Sequence, residues 1–162
     1  MLTLTTISGL PAHVLLVHAM VVLAPLTALL EILCALWPAA RRRLAWLVLA
    51  FAIVTAALTP ITTEAGEWLY DRESHHRDIL NTHADRGGWM IYFSIAMLVV
   101  AVVLALVQWR ESRSAKPAMT TNVAVAVLAI VVGVASIVQV VRIGDSGARS
   151  VWANELTKSD KP

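Results

Sequence analysis

Charge is scarce in this chain: 15% of its 162 residues are Asp, Glu, Lys or Arg, against 58% hydrophobic residues and a mean hydropathy of +0.71. That balance excludes an ordinary water-soluble domain and points to a membrane protein. Cysteine is almost absent. Cys34 stands alone inside an apolar run, which rules out an intrachain disulfide and a thiolate metal cluster and makes it a small apolar packing side chain. The net charge of +2 and pI near 9.0 do not indicate nucleic acid, because the basic residues follow apolar runs, as topology signals do, and form no basic soluble face. The N-terminus lacks the positively charged start of a secretory signal peptide, and the first apolar run is too long for one, so no cleavage is expected. There is no G-x-S-x-G, no G-x-x-x-x-G-K, no H-E-x-x-H and no pair of catalytic acids. Those absences remove the common soluble-enzyme chemistries and leave catalysis an open question.

What is present is apolar length. A bilayer core about 30 Å thick takes roughly 20 residues of helix, and four runs reach it, at about residues 12–37, 44–61, 89–109 and 123–141. The expected fold is all-α: a four-transmembrane-helix bundle forming a single domain over residues 1–153, followed by a polar tail at 154–162. Pro11 suits the first turn of the first helix, Pro25 lies inside it, and Pro38 ends it; six residues, 38–43, join it to the second as an antiparallel hairpin. Arg41, Arg42 and Arg43 fill that loop, and Arg110, Arg113 and Lys116 fill the third, so both loops are expected in the cytoplasm and both termini outside. Trp37, Trp46 and Trp109 then fall at the inner ends, and Trp68, Trp89 and Trp152 at the outer side. Between the second and third spans, residues 63–85 carry helical periodicity, with Ala65, Trp68, Leu69, Ile79 and Leu80 on one face and Glu64, Glu67, Asp71 and Asp78 beside it. This predicts an amphipathic helix on the outer surface, with Ser74 as the candidate place for a break. In the fourth span, Ala129-x-x-x-Gly133 permits close helix packing.

Two histidines open the first apolar run, an uncommon place for imidazole, and ionisable residues inside membrane helices are functional candidates by default. With this topology His13, His18, His75, His76 and His83, all five histidines of the chain, belong to one side. Asp145 belongs there too, so the side offers nitrogen and oxygen ligands suited to zinc, copper, iron or nickel. His13 and His18 are five residues apart, ~140° around a helix, and so form no i, i+4 ligand pair. A site must therefore join elements, with His13, His18 and His83 as first candidates and His76 and Asp145 next; His75 groups with the acids as a solvated residue. His13 also shares a stripe with Met20, Ala24, Thr27, Glu31 and Ala35, the expected bundle-facing side of the first helix. Glu31 on that stripe is a candidate for a proton or ion path, against an ion pair with the nearby arginines.

Leu10-Pro11-Ala12-His13-x4-His18 resembles the opening motif of the bacterial membrane family catalogued as domain of unknown function 2231, which runs like L-P-x-H-P-x-x-V-H-F-P. Thr63-Glu64-Ala65-Gly66-Glu67, with His83 farther on, resembles that family's T-G-x-x-A-E stretch followed by a histidine, and Arg142 to Ala148 resembles its closing G-[HD]-x-G-A pattern. Val14 stands where proline is usual, Ala19-Met20 replaces Phe-Pro, and Asp145 occupies a position that is often histidine. The resemblance implies a four-helix bundle in a bacterial plasma membrane. Relatives joined to cytochrome-like or Rieske-type domains imply a redox role by analogy.

The expected function is thus a membrane protein with a histidine-lined outer site that binds haem b or a transition metal in a redox role, in contact with the lipid bilayer and with a redox protein or larger complex. The competing expectations are a non-enzymatic accessory or assembly subunit and an ion or proton carrier.

Overall fold

The computed structural model describes residues 6–7, 10–72, 78–113 and 119–159. A two-residue antiparallel pairing of Thr6–Ile7 (β1) with Leu10–Pro11 (β2) precedes five helices. These are α1 (Ala12–Leu36), α2 (Pro38–Tyr70), α3 (Asp78–Gly88), α4 (Met90–Ser112) and α5 (Met119–Ser159). Four helical stretches are long and apolar enough to cross a membrane: Ala12–Leu36, Pro38–Tyr70, Asp78–Ser112 and Met119–Ser150. The fold is the expected all-α four-helix bundle, its helices closing a ring in the order α1, α2, α4, α5.

The bundle is packed inside out relative to a water-soluble one. Its interior is lined by small residues, among them Ala24, Ala28, Ala35, Ala45, Ala52, Ala101 and Ala129, while Val22 and Val131 are 66% and 61% exposed on the outside. Lipid tails are as apolar as valine, so nothing drives large side chains inward; small ones let helix backbones approach and gain dispersion contact. Gly133 shows the limit of that approach, since a methyl group there would come within 2.8 Å of Ile32 Cδ1 on α1. Buried hydroxyls are satisfied within their own helices: Thr27 donates to the Leu23 carbonyl, Thr55 to Phe51, Thr59 to Thr55 and Ser136 to Val132. This is the arrangement a medium without water demands.

Trp37, extended at φ −124° and ψ 100°, is the whole break between α1 and α2, and Pro38 starts the new helix where a missing N–H costs nothing. Three residues on, the fully buried Arg41 guanidinium binds Glu111 of α4 and, at 3.2 Å, Asn122 of α5, tying three helices at this arginine end of the bundle. Trp37, Trp46 and Trp109 are exposed at this end, and the Arg113 guanidinium lies 4.5 Å over the Trp109 ring.

At the opposite, histidine end the structure departs from the surface helix expected over residues 63–85. Residues 63–70 continue α2 without a break, and Asp78–Gly88 runs into α4 through Trp89, which keeps helical torsions of φ −69° and ψ −17°. Nothing between Thr62 and Tyr70 stops a helix, since one interior glycine weakens helix without ending it. At 1.5 Å per residue α2 is roughly 50 Å long and α5 roughly 60 Å, so both overhang a ~30 Å hydrocarbon layer. In this overhang α3 rests mainly against α5. Tyr70 Oη donates to Asn81 at 2.6 Å, Gln139 Nε2 to the Arg86 carbonyl at 2.8 Å, and Arg86 Nη1 to the Arg142 carbonyl at 2.9 Å, which fixes α3 between α2 and α5.

Candidate functional site

His13 stands in the first turn of α1, half-buried, and its Nδ1–H donates to the Thr62 carbonyl of α2 at 2.9 Å. One turn farther along α2 is Gly66. A Cβ there would lie 2.8 Å from His13 Cε1 and 2.9 Å from Nδ1, so the ring rests directly on the helix where a side chain is missing. His83 of α3 is seated in the same way on α5. Its Nδ1–H donates to the Ile143 carbonyl at 3.1 Å, with Ser146 Oγ at 3.4 Å, and one turn on is Gly147, whose Cβ would fall 3.0 Å from His83 Cε1. One construction thus occurs twice: a helix carbonyl at position i receives Nδ1–H, and a glycine at i+4 receives the ring face.

A carbonyl oxygen only accepts, so Nδ1 carries a proton in both imidazoles, and in the neutral ring Nε2 then keeps the lone pair. Neither Nε2 has a hydrogen-bond partner among the described residues. The ring centroids are 6.4 Å apart with planes at 81°. A cavity of about 80 Å³ is lined by both rings together with Met20, Thr59, Met90 and Ile143. An Nδ1–H held by a backbone carbonyl is the usual support of a histidine that binds metal through Nε2.

The other sequence candidates lie elsewhere. His18 is exposed and its Nδ1 bonds the Val14 carbonyl of its own helix, a consequence of the five-residue offset from His13. Asp145 is exposed and paired with Arg149 at 2.9 Å, one turn along α5, so neither it nor His18 joins the cavity. His76 and His75 fall outside the described residues. Glu31 lies on the buried stripe of α1, 18 residues and roughly 27 Å from His13. It is 0% exposed, and neither carboxyl oxygen has a hydrogen-bond partner among the described residues; Arg41 bonds Glu111 instead. Such a position costs an acidic residue about 2.5–3.5 kcal/mol on insertion scales. Among the described residues no three His, Cys, Asp or Glu side chains converge as a metal cluster.

Sequence reasoning placed Met20 on the bundle-facing stripe without assigning it to the site, and passed over Met90 and the two supporting carbonyls, which leave no mark in a sequence. Gly66 and Gly147 were visible only as members of the two later motifs.

The family model described as "Predicted membrane protein (DUF2231)" matches residues 9–160, a stretch that holds both histidines and both glycines of the site. No curated protein and no solved structure matches the chain.

Proposed function

We propose, from the premise that the chain belongs to this family of predicted membrane proteins, that its histidine end binds a copper ion between His13 and His83 in a one-electron redox role. The observation that carries the proposal is the pair of imidazoles on different helices, both forced by a carbonyl into the tautomer with Nε2 bare. Two metal–nitrogen bonds of about 2.0–2.1 Å in line hold imidazole centroids roughly 6 Å apart, and these stand at 6.4 Å. Imidazole alone suits zinc, copper, iron or nickel; thioether sulfur selects Cu(I), and Met20 and Met90 line the same cavity. Pockets for larger ligands measure roughly 300–1,000 Å³, so about 80 Å³ favours an ion with a water over a haem macrocycle. Copper held there by His13 and His83, with Met20 and Met90 beside it, would supply one-electron chemistry between Cu(I) and Cu(II). The arginine-bearing loops support an outer-face position for this end.

The test is metal analysis and an optical spectrum of the detergent-purified protein loaded with Cu(I), followed by X-ray absorption. One copper per chain with nitrogen and sulfur scatterers is expected, lost in His13→Ala and His83→Ala and kept in His18→Ala. Copper held equally well by all three variants, or a Soret band in place of copper, sinks the proposal.

A further inference from the structure

Several buried polar groups outside the histidine pair lie between the cavity and the arginine end of the bundle. Thr59, which lines the cavity, donates to the Thr55 carbonyl at 2.7 Å; Thr55 Oγ1 lies 3.4 Å from Thr27 Oγ1 across the α1–α2 interface. Glu31 follows one turn below Thr27 on the same buried stripe. Toward the arginine end, Gln108 Oε1 of α4 and Arg41 Nε and Nη1 of α2 are also buried with no partner among the described residues. Thr27 and Glu31 on α1, and Thr55 and Thr59 on α2, are each four residues or about 6 Å apart along the axis, a gap that one water spans.

The hydroxyls have an ordinary explanation, since each is satisfied by its own helix. Glu31 has none. Packing alone would be served better by leucine, and hydrogen bonding by glutamine; what a carboxyl adds is the capacity to take up and release a proton. The charged and titratable groups around it are few: Cys34 one turn on, Arg41 of α2, and Glu111 of α4, the last two bonded to each other. Among the described residues, α5 contributes neutral Asn122, which Arg41 bonds at 3.2 Å.

We propose that Glu31 is a proton-exchanging carboxyl, reached from the arginine end past Gln108 and linked to the histidine cavity by Thr27, Thr55 and Thr59. Water at one face gives up a proton and an O–H bond forms on the carboxylate; that bond breaks as the proton passes to water on the other side, so the carboxylate is regenerated. This stands on Glu31 and the threonines and does not require a metal.

The experiment uses the purified full chain, metal-free, in liposomes with an entrapped pH-sensitive dye and a potassium diffusion potential set by valinomycin. Flux well above protein-free liposomes is expected, falling at least tenfold in Glu31→Gln and several-fold in Thr55→Val, with His18→Ala unchanged. Copper binding measured on the same variants separates this proposal from the previous one, because Glu31→Gln is expected to keep it. Dicyclohexylcarbodiimide, which attacks protonated carboxyls in apolar surroundings, gives a check without any substitution: an adduct mapped to Glu31 with flux abolished. Flux no faster than in empty liposomes, or undiminished after Glu31 is modified or replaced, overturns the proposal.

Discussion

Gly66 and Gly147 each do by absence what a ligand does by presence. Alanine is normally the better residue in a helix interior, by roughly 0.8–1 kcal/mol, so a glycine with no task would yield stability on replacement. Here the added methyl group would press on His13 at 2.8 Å or on His83 at 3.0 Å. Gly66→Ala and Gly147→Ala are therefore expected to weaken copper binding by about 10–100-fold, the usual effect of disturbing a ligand's support. Competition titration against a Cu(I) chelator measures it, with thermal unfolding as the companion readout. The candidate residues themselves were partly legible in the sequence. His13 stood out as an imidazole opening an apolar run, His83 as one carried by the outer segment, and Glu31 as a lone acid on a small-residue stripe. His18 looked equivalent to His13 until a neighbour existed to tell one side of α1 from another, and the Asp145–Arg149 pair was readable as an i, i+4 contact that takes the aspartate out of play.

Between elements, Arg41 is the most consequential contact, because one guanidinium joins α2 to α4 and α5. Removing one partner of a buried ion pair leaves the other charged and unpaired, at about 3–5 kcal/mol. Arg41→Ala is expected to lower the thermal stability of the detergent-purified protein by that order, and Arg41→Lys by less, since lysine keeps the charge and loses the fork. Circular dichroism melts decide it, and equal melting of Arg41→Ala and wild type would remove the clamp from the account. Four apolar runs were enough to read the four spanning helices, because backbone in lipid must bond to itself. Where the apolar runs stop, that constraint lapses, and hydropathy no longer marks a helix boundary. Residues 63–70 turned polar while α2 continued, carrying Gly66 past the end of the apolar run to the place where His13 needs it.

At the scale of the whole chain, the arginine-bearing loops predict that the histidine end faces outward. C-terminal fusions test this directly: alkaline phosphatase should be active and a cytoplasmic fluorescent protein dark, and the reverse pattern would place the cavity inside the cell. The two seats of the histidine rings also divide the molecule. Each hairpin of spans carries its imidazole ahead of its first membrane crossing and the receiving turn behind its second, so His13 finds Thr62 and Gly66 within one half, and His83 finds Ile143 and Gly147 within the other. During synthesis the first hairpin can close on itself before the second exists, while the space between the rings comes into being only when both halves have inserted and docked. On the proposed copper binding, loading of that space would come last in biogenesis, because a half-made chain brings only one of the two imidazoles.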